Sequence, residues 1–188
     1  MKSKKGLIPT KNLAYSALLA ALSVVLARLI IPMPDSSTRF SIEAVPIYLA
    51  GMLFGPLTGG LVGFVADATG TLFSPYGFNP IFCVPPILYG VCGGVFRYFL
   101  SKKASVPRLA AGIFPPVVLG SILYQSATLA YMYPTGTFIQ SLVFRISTRT
   151  VQFAITGVLD VLVIYVLLES RVFNRLGLWP VRKGQNKE

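Results

Sequence analysis

The sequence predicts an all-α integral membrane protein, a bundle of about six transmembrane helices with both termini in the cytoplasm. Composition, the lengths of the apolar runs and the placement of basic residues each point there. Of the 188 residues, 54% are hydrophobic and only 12% charged, with a mean hydropathy of +0.68. Soluble domains carry about 25% charged residues. A chain this apolar would expose much of its hydrophobic surface in water, whereas lipid is a compatible solvent for the outer face of a bundle.

A spanning helix needs roughly 20 mostly apolar residues. Runs of that kind fall at Asn12–Ile31, Ile42–Phe54, Leu57–Phe73, Ile81–Leu100, Leu109–Tyr131 and Phe138–Leu168. The second is short, so it either starts within the preceding loop or sits deep in the bundle, where protein meets its ends. The last is long, so its first turns lie at the interface or the helix is tilted. The first run exceeds the hydrophobic region of a cleaved signal peptide, and no small-residue cleavage site precedes Arg28. Pro85-Pro86 and Pro115-Pro116 are expected to kink the fourth and fifth helices and open space between them.

The net charge is +11, and it is unevenly placed. Lys2, Lys4, Lys5 and Lys11 precede the first run; Arg97, Lys102, Lys103 and Arg108 separate the fourth from the fifth; Arg171, Arg175, Arg182, Lys183 and Lys187 follow the sixth. These groups share one side only if the number of crossings is even, and the positive-inside rule makes that side cytoplasmic. Residues 1–11 are thus a basic cytoplasmic N-terminus, 12–168 a six-helix transmembrane substrate-binding domain, and 169–188 a basic cytoplasmic tail. Basic flanks on an apolar chain mark membrane topology rather than a nucleic-acid partner.

Catalytic chemistry is thin. Without histidine the chain lacks the usual general base and the commonest zinc ligand. It has no P-loop for ATP. Its acids inside the bundle, Asp35, Glu43, Asp67 and Asp160, are scattered, so neither a metal cage nor a carboxylate dyad is expected. No cofactor and no enzymatic activity are expected either. Cys83 and Cys92 lie roughly 13 Å apart along one predicted helix, too far to bridge, and read as packing thiols.

Four arginines fall outside the basic flanks: Arg28, Arg39, Arg145 and Arg149. All map to the outer half, where positive charge needs a reason. Charges within spanning segments face a cavity or a partner, and guanidinium groups hold carboxylates bidentately. The functional reading is a pocket for an anionic solute open to the outside. The competing one is snorkelling to headgroups, with Arg39 paired to Asp35 or Glu43. In the last run Arg145, Arg149, Gln152, Thr156 and Asp160 recur every three or four residues, one stripe of a helix that faces the bundle interior. Asp67, in Gly63-Phe64-Val65-Ala66-Asp67-Ala68-Thr69-Gly70, is an intramembrane carboxylate. It is suited either to two N–H groups of a heterocycle or to an arginine.

The loop Ser74-Pro75-Tyr76-Gly77-Phe78-Asn79-Pro80 is stiffened by its prolines. It presents Tyr76 and Phe78 as a lid for a flat ring, or as part of an interfacial aromatic girdle. The first run carries two lines of small residues, Ala14, Ala17 and Ala21 and, separately, Ser16, Ala20, Ser23 and Ala27. Such lines let helices approach closely in lipid; one suits internal packing and the other a membrane partner.

Together these features resemble the substrate-binding S components of energy-coupling factor (ECF) vitamin transporters, over roughly residues 12 to 168. The stretch Arg39-Phe40-Ser41-Ile42-Glu43-Ala44-Val45-Pro46, then Ala50-Gly51-Met52-Leu53-Phe54-Gly55-Pro56 and Gly59-Gly60-Leu61-Val62-Gly63 with Asp67 and Gly70, is most similar to the folate-specific members. So is Pro75-Tyr76-Gly77-Phe78-Asn79-Pro80-Ile81-Phe82. The resemblance implies capture of a vitamin from outside by the last three helices and the outer loops. It also implies docking of the first three helices on a transmembrane coupling protein driven by two ATPase subunits, Ala17 and Ala21 matching the docking element. Toppling of the S component in the cell membrane would then deliver the ligand inward. A folate's anionic glutamate tail suits the arginines, and its flat pterin suits Asp67 and the aromatic loop with Tyr76 and Phe78; Asn79 and Gln152 complete the expected substrate-binding residues. The alternatives are an S component for another anionic or neutral vitamin, a small membrane enzyme acting on lipid or acyl substrates, and a small channel. Arg28 lies seven residues from Ala21 and so nearly on its face, which requires a bend or a side chain that reaches around.

Overall fold

A computed structural model describes residues 10–28, 31–32, 39–72, 78–97, 99, 105–170 and 172–178. Of the predicted terminal segments it therefore includes only residues 10–11, 169–170 and 172–178. Each apolar run is helical. α1 spans Thr10–Leu26, α2 Ala44–Phe54 and α3 Pro56–Thr71; α4, Val84–Val95, follows a 3-10 turn at Pro80–Cys83. The fifth run divides into α5 (Val106–Pro116), a π-helical stretch (Val117–Tyr124) and α6 (Gln125–Met132). α7 is one helix from Phe138 to Glu169, and α8 is Val172–Arg175. Between α1 and α2, β1 (Ile31–Pro32) pairs antiparallel with β2 (Arg39–Phe40), Ile31 opposite Phe40.

The short second run sits deep: every residue from Ala44 to Leu53 is buried. α1, α3 and α4 all pack on α2, which leaves it no lipid-facing side and removes the need for spanning length. Tyr48, fully buried, stacks on Tyr89 of α4 with ring centroids 5.2 Å apart and donates to the Ile113 carbonyl at 3.1 Å. The chain reverses between α2 and α3 at Gly55, whose φ of 106° favours glycine. Pro56 then opens α3 with its φ already helical.

α2, α3 and α4 meet backbone to backbone. A Cβ on Gly90 would lie 2.0 Å from the Gly59 carbonyl oxygen, and one on Gly51 2.1 Å from the Gly90 oxygen. Glycine-mediated approach of this kind is a main source of helix association in lipid, where water does not drive apolar groups together. Gly90→Ala should therefore lower the thermal midpoint measurably in a detergent melt, at a cost of ~1–3 kcal/mol for overpacking. An unchanged midpoint would show that the helices can part without penalty.

Two sequence expectations change. Pro85-Pro86 stand in the first turn of α4, where a proline's missing N–H leaves no bond unmade, so they start the helix instead of kinking it. Pro115-Pro116 lie inside α5 and are followed directly by the π-helical stretch. There the Gln125 N–H closes on the Gly120 carbonyl, five residues back. The outcome is a widened register rather than a simple bend. Arg97, read from sequence as one of the cytoplasmic basic residues between the fourth and fifth runs, is buried at 4% exposure. Its guanidinium lies against Gly55, in a cavity of about 330 Å3 lined also by Phe54, Pro56, Leu57, Gly94 and Val95.

Among the described residues two helical stretches are long and apolar enough to cross a membrane, Val106–Met132 and Phe138–Glu169; Thr10–Leu26, Ala44–Phe54 and Pro80–Val95 are shorter apolar helices. α7 is polar inward and apolar outward. Arg149, Gln152, Thr156 and Asp160 are buried while Val143, Val151, Val158 and Val166 are exposed. On α1 the line Ser16, Ala20 and Ser23 is buried, with the Ser23 hydroxyl donating to the Glu43 carbonyl at 2.7 Å. Ala14, Ala17 and Ala21 face outward.

Candidate functional site

The polar side chains gather where α1 and α3 end and α4 begins. α1 stops at Leu26, and Arg28 lies in the turn beyond it, so the helical phase that set it on the face of Ala21 no longer applies. Its Nη2 donates to the Gly70 carbonyl at 2.5 Å. That carbonyl belongs to the last turn of α3, where unpaired acceptors and the helix dipole favour a cation. One turn earlier, half-buried Asp67 accepts a hydrogen bond at Oδ2 from the Cys83 thiol, 2.9 Å away. Cys83, expected to be a packing thiol, is buried and free, and this contact bridges α3 to the head of α4.

Asn79 shapes that head. Its Oδ1 accepts from the Ile81 N–H at 3.1 Å, capping the 3-10 turn by supplying the acceptor that its first N–H groups lack. Its Nδ2 reaches the Met132 sulfur at the end of α6, 3.8 Å away. Phe78, just before it, is exposed. Tyr76 and the side chain of Arg39 lie outside the described residues.

The start of α7 completes the ring. Thr137 and Gln140 form a reciprocal capping box, and the Ser141 hydroxyl accepts from the Thr135 N–H at 2.9 Å. The turn so fixed directs the Tyr133 carbonyl at Arg145, whose Nη2 donates to it at 2.8 Å. The Arg145 Nε is buried and has no partner among the described residues. One turn deeper, Arg149 is buried, its Nη1 donating to the Ser121 carbonyl at 3.2 Å and to Gln125 Oε1 at 3.0 Å. The Ser121 hydroxyl in turn bonds the Tyr89 hydroxyl. Gln152 is buried beneath Arg149. Thr156 folds its hydroxyl back onto the Gln152 carbonyl at 3.1 Å. Asp160, deeper still, keeps a buried Oδ1 with no hydrogen-bond partner among the described residues.

The candidate residues thus form two groups. Arg28, Asp67 and Asn79 hold the junction of α1, α3 and α4, and Arg145, Arg149 and Gln152 line the inner face of α7; the Asn79–Met132 contact ties the first to the turn that serves the second. Sequence reasoning missed Ser121 and Gln125, although polar side chains four apart in an otherwise apolar run mark one helix face. Chemically, a buried guanidinium suits an oxyanion, and a half-buried carboxylate accepts from N–H groups. Among the described residues no cluster of metal-ligating side chains occurs.

Known proteins resemble this chain in sequence and in fold. The family model for the S component of ECF-type riboflavin transporters matches residues 8–170. The folate transporter FolT of Clostridium novyi (strain NT) is 30% identical over 152 residues, covering 80% of this chain and 84% of that protein. A UPF0397 protein of Streptococcus pneumoniae (strain CGSP14) is 31% identical over 95 residues, half of this chain. Among solved structures, FolT bound with folic acid superposes with a TM-score of 0.61 at 27% identity, covering 81% of this chain and 94% of that one. The S component for biotin from an ECF-type ABC transporter, 17% identical, shares the fold with a TM-score of 0.54, over 88% of this chain and 96% of its own. The family model, FolT and the biotin S component are transport proteins rather than enzymes. With a match that runs nearly end to end, the chain belongs to the S-component family of ECF-type transporters.

Proposed function

We propose that this S component captures a folate or reduced folate from outside the cell and delivers it to an ATP-driven coupling module. The observation that carries the reading is the buried guanidinium of Arg149, with Arg145 one turn above it, on a helix otherwise apolar toward lipid. Charged side chains within a spanning helix face a cavity or a partner, and guanidinium groups hold carboxylates bidentately. The glutamate tail of a folate supplies carboxylates, and its pterin supplies the paired N–H donors that Asp67 suits. Identity with a folate transporter over most of both chains supports the same substrate.

The family model is described for riboflavin, which favours a second reading, a flavin ligand. Riboflavin is uncharged at neutral pH and offers no carboxylate to the arginines of α7, so folate is preferred. Six membrane crossings with both termini cytoplasmic accord with the helix order and with the basic flanks. The outward-facing line of Ala17 and Ala21 suits docking on the coupling protein with its two ATPase subunits.

Denaturing the detergent-purified protein and identifying the released small molecule by absorbance and mass tests the substrate, since a tightly held ligand dissociates slowly enough to survive purification. A folate is the expected product; riboflavin in its place would transfer the assignment to the second reading. Asp67→Asn should weaken binding of folate by ~1–3 kcal/mol, the scale of a charge-assisted hydrogen bond. Unchanged affinity in a titration would return Asp67 to holding Cys83.

A further inference from the structure

α6 ends at Met132 and α7 begins at Phe138, and the turn between them is closed at both ends. The Tyr133 N–H bonds the Leu129 carbonyl at 2.9 Å, and the Ser141 N–H bonds the Thr137 carbonyl at 3.0 Å. One side chain crosses the turn between these points. Further along α7, Ser147, Thr148 and Thr150 donate their hydroxyls to the carbonyl four residues back, the usual habit of such residues inside a helix. The Ser141 hydroxyl, at 1% exposure, instead accepts from the Thr135 N–H at 2.9 Å. Only the two backbone torsions of Pro134 separate the peptide that carries this N–H from the one that carries the Tyr133 carbonyl. The pyrrolidine ring fixes one of them. Pinning Thr135 therefore aims the Tyr133 carbonyl, which accepts from Arg145 Nη2 at 2.8 Å. Arg145 is half-buried, and its Nε has no partner among the described residues. A guanidinium has five N–H donors, so one held at Nη2 keeps others for a carboxylate.

We infer that Ser141 is a positioning residue for ligand recognition: acting through Thr135, Pro134 and the Tyr133 carbonyl, its hydroxyl sets the plane in which Arg145 meets a carboxylate of the ligand. The inference rests on the folate reading and adds to it a group that sets selectivity for the anionic tail. Orientation matters because a planar fork recognises a carboxylate bidentately only in register. Without the hydroxyl the Thr135 N–H loses its acceptor and the turn gains freedom. Arg145 then keeps its charge but not its direction.

The test is titration of the purified full chain with folate and with the methylamide of pteroate. The methylamide keeps the ring system and the amide but has neither carboxylate of the tail. Wild type should prefer folate. Ser141→Ala, which removes a single oxygen, should shrink that preference about three- to tenfold, the scale of one hydrogen bond. Its affinity for the methylamide should stay at the wild-type value, which also reports that the variant folds. In an Arg145→Ala background the same change should alter folate binding no further, because residues acting through one another are not additive. Equal weakening of both ligands by Ser141→Ala would overturn the inference, and so would an undiminished loss of folate affinity in the absence of Arg145. The folate reading fails separately, on the wild type alone, if neither ligand binds.

Discussion

Replacing Arg149 by alanine is expected to weaken binding of folate by ten- to a hundredfold while costing a tail-less pterin far less. The guanidinium is buried and already held by Ser121 and Gln125, so little side-chain entropy is left to lose when a carboxylate arrives. A hydrogen bond to a charged group is worth ~1.5–3 kcal/mol, and tenfold in affinity corresponds to ~1.4 kcal/mol. Arg149→Lys separates charge from geometry: it keeps the cation but not the fork, so it should recover only part of the loss. Equal losses for folate and for the pterin would move Arg149 from the tail to the framework.

The second large effect is expected from Ala17→Trp, which should leave folate binding intact and reduce uptake by whole cells to background. Ala17 and Ala21 face outward on α1, whereas Ser16, Ala20 and Ser23 are buried against the bundle. A bulky ring at Ala17 therefore disturbs no internal contact but holds a partner helix away from a surface that small residues open to close approach. Substitution on the buried line, Ala20→Trp, should instead destabilise the protein and lose binding and uptake together. Uptake at the normal rate in Ala17→Trp would place the docking surface elsewhere.

The stripe on the last helix was readable in the sequence because spacing alone determines which residues of a helix share a face, and Arg149, Gln152, Thr156 and Asp160 are all buried as the spacing requires. The depth of α2 was one of the two readings that its short run allowed, and the burial of Ala44 to Leu53 selects it. What the sequence withheld depends on neighbours distant in the chain. Ser121 and Gln125 mark only a polar helix face, with nothing to say what it meets, until Arg149 arrives from another helix. Cys83 looks like filler until α3 brings Asp67 alongside. Arg97 counts as a flanking charge until the reversal at Gly55 covers it. The two proline pairs are identical as words, but one opens a helix and the other falls inside one. Only the positions of the helix ends distinguish them.

The central claim is that this S component takes a folate, and direct calorimetric titration of the ligand-free protein in detergent tests it, with folate and riboflavin run side by side. The account predicts stoichiometric folate binding and no competition from riboflavin. Tight riboflavin binding with no heat from folate would contradict it and give the pocket to a flavin.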